Sequence, residues 1–105
     1  MAKATEQKSR TQILHDLTSF VARHQTHLCR WYVGTAADPY DQLFKVHGFK
    51  DTDVGLFRQA ASSSDAASIA ALLIGRGARG DRGEKPGARS IYLFKLAKHT
   101  SPPVD

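Results

Sequence analysis

The sequence predicts an α+β domain in which a small antiparallel or mixed sheet of about three strands is flanked by helices, in the order α-β-α-β-α-β. Three observations carry this. A stripe of apolar residues at helical spacing runs from Ser9 to His27, two runs rich in β-branched and aromatic residues follow at Leu28–Thr35 and Ser90–Ala97, and an alanine-rich run stands behind a cluster of serines. A chain of 105 residues is long enough for one modest core and too short for two.

In the first element, Ile13, Leu14, Leu17, Phe20 and Val21 fall on one stripe of a helix, with Ser9 or Thr11 as its cap. The strand after it alternates, placing Cys29, Trp31 and Val33 on one face and Arg30, Tyr32 and Gly34 on the other. Asp38 then caps a short helix that opens on Pro39 and exits at Gly48, with Tyr40, Leu43, Phe44 and His47 on one face. A second strand is expected over Val54–Ala60. Behind the caps of Ser62–Asp65 comes a helix that ends at the pair Gly75 and Gly77. Residues 75–89 read as a glycine-rich basic loop. Ser90–Ala97 is apolar on both alternating faces, as a central strand requires. Residues 1–8 and 98–105 are expected to be disordered, leaving a single domain over 9–97.

The composition is ordinary for a globular chain, and the net charge of +5 favours anionic partners such as nucleic acid. Cys29 is the single cysteine, which excludes an intrachain disulfide and a cysteine-rich zinc site; inside a strand it would act as a small hydrophobe. A reducing, cytoplasmic compartment follows. Neither a signal-peptide run in "MAKATEQKSR" nor a stretch of membrane-spanning length is present, so no membrane association is expected.

The loop holds the strongest local signal. Arg76, Arg79, Arg82 and Lys85 recur every third residue between Gly77, Gly80 and Gly83, with Arg89 beyond, and Asp81 and Glu84 reduce these five cations to a net +3. Glycines let backbone amides approach a phosphate while arginine supplies paired donors; a solvated, purely solubilising loop fits the same residues. "GRGARG" matches a dinucleotide-binding pattern, but it follows a helix where that pattern needs a strand. Arg79-Gly80-Asp81 is a chance match to an adhesion tripeptide. His15, His24, His27, His47 and His99 show no metal-ligand spacing, so neither a metal nor a cofactor is predicted. His47 faces the strand of Tyr32, and a packed, hydrogen-bonded imidazole is its expected state.

Taken together, "WYVG" at Trp31–Gly34, "DPYDQLFKVHGF", "SIAALLIGRGARGDRG" and "SIYLFKL" resemble the strand, helix, glycine turn and closing strand of the GIY-YIG nuclease domain in its short bacterial form. The resemblance covers residues 28–97. It implies metal-assisted phosphodiester hydrolysis, in which a glutamate on the later helix holds the cation, an arginine on the first helix steadies the phosphate and tyrosines position water. Tyr32 and His47 keep their places in this motif. The arginine position falls on Gln42 and the glutamate position on Ala70, and the upstream "GIY" strand is replaced by the Ser9–His27 helix.

The implied site is therefore degenerate at Tyr32, Gln42, His47 and Ala70, with no catalytic residue expected. On this alignment, Gln42→Arg combined with Ala70→Glu should install Mg²⁺ binding. The expected function is an inactive GIY-YIG-like domain that binds DNA or RNA weakly and without sequence preference through Arg30, Arg58, Arg76, Arg79, Arg82, Lys85 and Arg89. Two alternatives stand beside it: a protein-interaction domain using the amphipathic first helix, as a monomer or weak dimer, and a residual metal-dependent nuclease.

Overall fold

In the computed structural model, which describes residues 7–24, 26–80 and 85–103, the Ser9 hydroxyl accepts the Gln12 N–H and starts helix α1, Arg10–Arg23. Before it, Gln7–Lys8 forms a two-residue strand, β1. Helix α1 stops four residues short of the predicted His27. Leu28–Arg30 then makes one 3₁₀ turn, closed by Arg30 N–H donating to the His27 carbonyl. Strand β2, Trp31–Ala36, begins only after that turn, so Cys29 lies exposed in the turn instead of inside the strand.

Asp38 caps helix α2, Pro39–Asp41, through the Asp41 N–H, and Gln42–Val46 continues it as a π turn. In that wider turn the His47 N–H reaches back five residues to the Gln42 carbonyl. The change of period splits the predicted apolar face. Leu43 and His47 point inward, whereas Tyr40 is 61 % and Phe44 39 % exposed. Strand β3 is Gly55–Ala60, and helix α3, Ser63–Gly75, is capped by Ser62. Arg79–Gly80 forms the short strand β4, and Ser90–Lys95 the strand β5.

These strands make one mixed sheet in the order β1-β3-β5-β2-β4, so the domain is α+β as predicted. The three anticipated strands form its middle, with β5 at the centre antiparallel to both β2 and β3. The two short strands add parallel pairs at the edges, Gln7↔Gln59 on one side and Tyr32↔Arg79 on the other. Neither edge was legible, because two residues carry no periodicity. Gly80 is demanded by its place: a Cβ there would stand 2.2 Å from the Val33 carbonyl oxygen.

Alternation along β2 and β5 assigns each residue to a layer. Trp31, Val33, Ile91 and Leu93 face α1 and α3 and close the larger core with Ile13, Leu17, Ile69, Ala70 and Leu73. Tyr92 and Phe94 face the opposite way, toward α2 and its π turn, with Leu43, Ala36 and the partly buried Tyr32. Each fully buried large side chain contributes on the order of 1.5–3 kcal/mol. Trp31, buried completely, also donates its indole N–H to Thr26 Oγ1 at 2.6 Å.

Both predicted disordered ends are partly tied down. Lys8 pairs with Ala60 and binds Asp16. The tail was expected to be free from residue 98, yet Thr100 is buried and Ser101 N–H donates to the His47 carbonyl at 2.8 Å. The side chain of His99 meets Asp53 at 2.6 Å. Partial burial alone would raise the Asp53 pKa, but the bonds from His99 and the Lys50 N–H outweigh it and hold the carboxyl below its usual value. Among the described residues, no helix is long and apolar enough to cross a membrane.

Candidate functional site

The α2 side of the sheet gathers the polar groups. Strand β5 lifts Tyr92 from the centre of the sheet, β2 presents Tyr32 beside it, and the π turn lowers His47 onto both rings. The His47 and Tyr32 ring centroids are 4.7 Å apart, and Tyr32 stacks on Phe94 at 5.4 Å. His47 Nε2 lies 2.7 Å from the Tyr92 hydroxyl, and Nδ1 lies 2.5 Å from the Ser101 carbonyl oxygen.

A carbonyl only accepts, so His47 carries its proton on Nδ1 and its Nε2 accepts from the Tyr92 O–H. Burial favours this neutral ring over the charged one, and both of its nitrogens have a partner. Burial lowers its pKa, the Ser101 bond opposes that, and the charge of Lys85 lowers it further. Both ring nitrogens are used to fix the tail and the central strand. This is the packed, hydrogen-bonded histidine expected from the sequence.

A pH dependence follows. The unfolded chain protonates His47 near 6.5, while the folded chain holds it neutral to lower pH. Below 6.5 the unfolded state binds more protons, so stability falls with acidification until the folded pKa is passed. Thermal unfolding of the native chain should therefore weaken measurably between neutral pH and pH ~5. His47→Gln should show a smaller slope over that range, well above the region where Asp16 and Asp53 titrate. Equal slopes in the two proteins would refute a neutral buried His47.

The four positions singled out by motif do not converge. Tyr32 and His47 meet. Gln42 lies one π turn away, half-buried, and reaches His47 through its backbone carbonyl. Ala70 is 1 % exposed in the core on the other side of the sheet, between α3 and β2. Among the described residues, no group of three His, Cys, Asp or Glu side chains is placed to hold a metal ion. Tyr92 and Ser101 were missed. Tyr92 had a signal, since it is the one hydroxyl in the apolar run "IYLFKL" after Ser90, and a buried phenol needs a partner. Ser101 had none, because its contribution is a backbone carbonyl brought in by the tail.

The predicted basic residues separate by face. Arg79 pairs with Tyr32 in β4, so the two side chains leave the sheet on the same side. Lys85 is near enough to bias His47 electrostatically. Arg58 projects toward α1 instead, where its Nε donates to Asp16 at 3.0 Å. That carboxylate also accepts from Lys8 and Gln12; these bonds outweigh its partial burial and lower its pKa. Arg58 is thereby a structural residue. Arg76 caps α3 beside an open groove of about 590 Å³, which it lines with His27 and Cys29 on the helix side. Arg30 and Arg89 are exposed, and Arg82 lies outside the described residues.

Comparison with protein-family models, with curated proteins and with solved structures finds no match.

Proposed function

We propose that this protein is a GIY-YIG-like domain that binds the phosphate backbone of nucleic acid, without sequence preference and without cleaving it, on the face that carries Tyr32 and His47. One observation supports this above the rest: strand β4 brings Arg79 onto that face beside Tyr32, and Lys85 is near enough for its charge to disfavour protonation of His47. On that face Arg79 and Lys85 would offer guanidinium and ammonium donors to the phosphate oxygens of a ligand. The net charge of +5 supplies a long-range attraction of the same sign. Cleavage has little support in the site's chemistry, because the position aligned with a metal-binding glutamate is Ala70, across the sheet, and both nitrogens of His47 are engaged.

Binding of this kind is driven by counterion release and weakens steeply with salt. Anisotropy titrations of the full chain against labelled DNA of random sequence test it. Arg79→Glu with Lys85→Glu should reduce the affinity at low salt by at least about tenfold and flatten the log–log salt slope by about two. Arg76→Glu, on the helix side, should have a much smaller effect. Loss of binding through Arg76 alone, or none through the other pair, would overturn the choice of face.

A further inference from the structure

The geometry points to single-stranded nucleic acid as the ligand, with its bases stacked on Tyr40 and Phe44. This rests on the phosphate-binding reading above and adds the strand class. The two rings lie nearly parallel, 14° between planes and 6.3 Å between centroids, on the solvent side of α2 and its π turn. Both are buttressed from beneath. Phe57 meets Tyr40 edge-on at 5.0 Å, and Phe49 meets Phe44 at 5.4 Å. Rings held this way lose little freedom when a base settles on them. Large aromatic side chains this exposed have a physical cost in water, and the π turn that turns them outward also turns His47 inward.

Their position relative to the cations favours a nucleic acid over an apolar partner. Tyr40 sits over β3 through Phe57, while Arg79 stands on β4, three strand spacings away, or about 14 Å. Phosphates and bases of one extended strand can reach both ends of such a face, which combines stacking rings with a cationic border. A duplex offers its phosphates to Arg79 and Lys85 but keeps its base faces stacked on one another.

The carboxylates around the rings are largely engaged within the chain. Asp38 caps α2, Asp41 pairs with Lys45 at 3.1 Å, and Asp53 holds His99; Asp51 is exposed beside Lys50. Asp38, Asp41, Asp51 and Asp53 still outnumber Lys45 and Lys50 there, so the aromatic end contributes stacking and no electrostatic attraction, which is left to the Arg79–Lys85 end. That division makes the two halves separable by experiment.

The test uses the full chain with fluorescent oligo(dT) and a random-sequence duplex of equal length, each titrated over a range of salt. The single strand should bind at least about tenfold tighter than the duplex. Tyr40→Ala with Phe44→Ala should weaken single-strand binding by about 10- to 100-fold, leave duplex binding within about twofold and leave the salt slope unchanged. Tyr40→Trp should retain the single-strand affinity. Near-ultraviolet circular dichroism confirms that the variants stay folded. Equal affinity for the two ligands, or a double variant that keeps its single-strand affinity, overturns the inference while leaving the phosphate reading intact. A double variant that converts a dimer to a monomer assigns the rings to a self-interface and overturns it too. No binding of either ligand by the native chain defeats the phosphate reading itself.

Discussion

Ala70→Glu is expected to unfold this domain, not to give it a metal site. Ala70 is 1 % exposed and sits among Ile13, Leu17, Val33, Ile69 and Leu73, where α3 meets the sheet. A glutamate there adds four heavy atoms beyond Cβ to a close-packed interior, and overpacking of this kind typically costs about 1–3 kcal/mol. Its carboxyl must then be buried charged and unpaired, or be protonated and still lack partners, which adds several kcal/mol. The sum exceeds about 4 kcal/mol, a large share of the roughly 5–15 kcal/mol that holds a small domain together. Thermal unfolding followed by circular dichroism should show a midpoint lowered by roughly 15 °C or more, or no cooperative transition at all. Adding Mg²⁺ should not restore it, alone or with Gln42→Arg. A variant of near-native stability, or one rescued by the cation, would show that position 70 does not lie in the core between α3 and the sheet.

That contrast marks what the sequence made legible. Elements with sustained periodicity were readable: the α1 stripe, the alternation of β2, the doubly apolar β5 and the capped α3 all stand where their patterns put them, to within a few residues. Face assignment was readable only where the period was right. Regular α-helical spacing put Tyr40, Phe44 and His47 together, and one π turn separated them. Position 70 failed for a related reason, since matching a glycine turn fixes where α3 ends but not which of its sides meets the sheet. The edges failed because β1 and β4 are two residues each, and their pairing is a tertiary event. The most consequential omission was the Ser101 carbonyl on His47, 54 residues away in the chain, a contact that leaves no trace in side-chain identity. Composition did identify the basic loop, yet only the Arg79↔Tyr32 pairing shows that Arg79 leaves the sheet on the side of the cluster.

Gly34→Ala is expected to have the second large effect, and it tests the centre of the site. Gly34 pairs directly with Tyr92 across β2 and β5, and the phenol ring lies over the glycine. A Cβ at position 34 would stand 2.4 Å from the Tyr92 hydroxyl oxygen and 2.6 Å from the carbon bearing it. Tyr92 is 2 % exposed and wedged among Tyr32, His47 and Phe94, so the ring cannot swing aside freely. Either β2 shifts or the Tyr92–His47 hydrogen bond breaks, and the loss should be about 2–4 kcal/mol in urea unfolding. Gly75→Ala provides the contrast, since its Cβ would meet nothing within 4 Å inside α3 and should be neutral or stabilising by up to about 1 kcal/mol. Tyr92→Phe removes the nearest clashing atom and also the donor to His47 Nε2. Combined with Gly34→Ala it should destabilise by less than the sum of the two single changes, because the Tyr92–His47 hydrogen bond can be lost only once and the closest of the steric conflicts goes with the hydroxyl. Strict additivity would mean that Gly34→Ala leaves the Tyr92–His47 hydrogen bond intact. The glycine of "WYVG" then has a cause in this chain's own packing: it opens the space through which the central strand reaches His47.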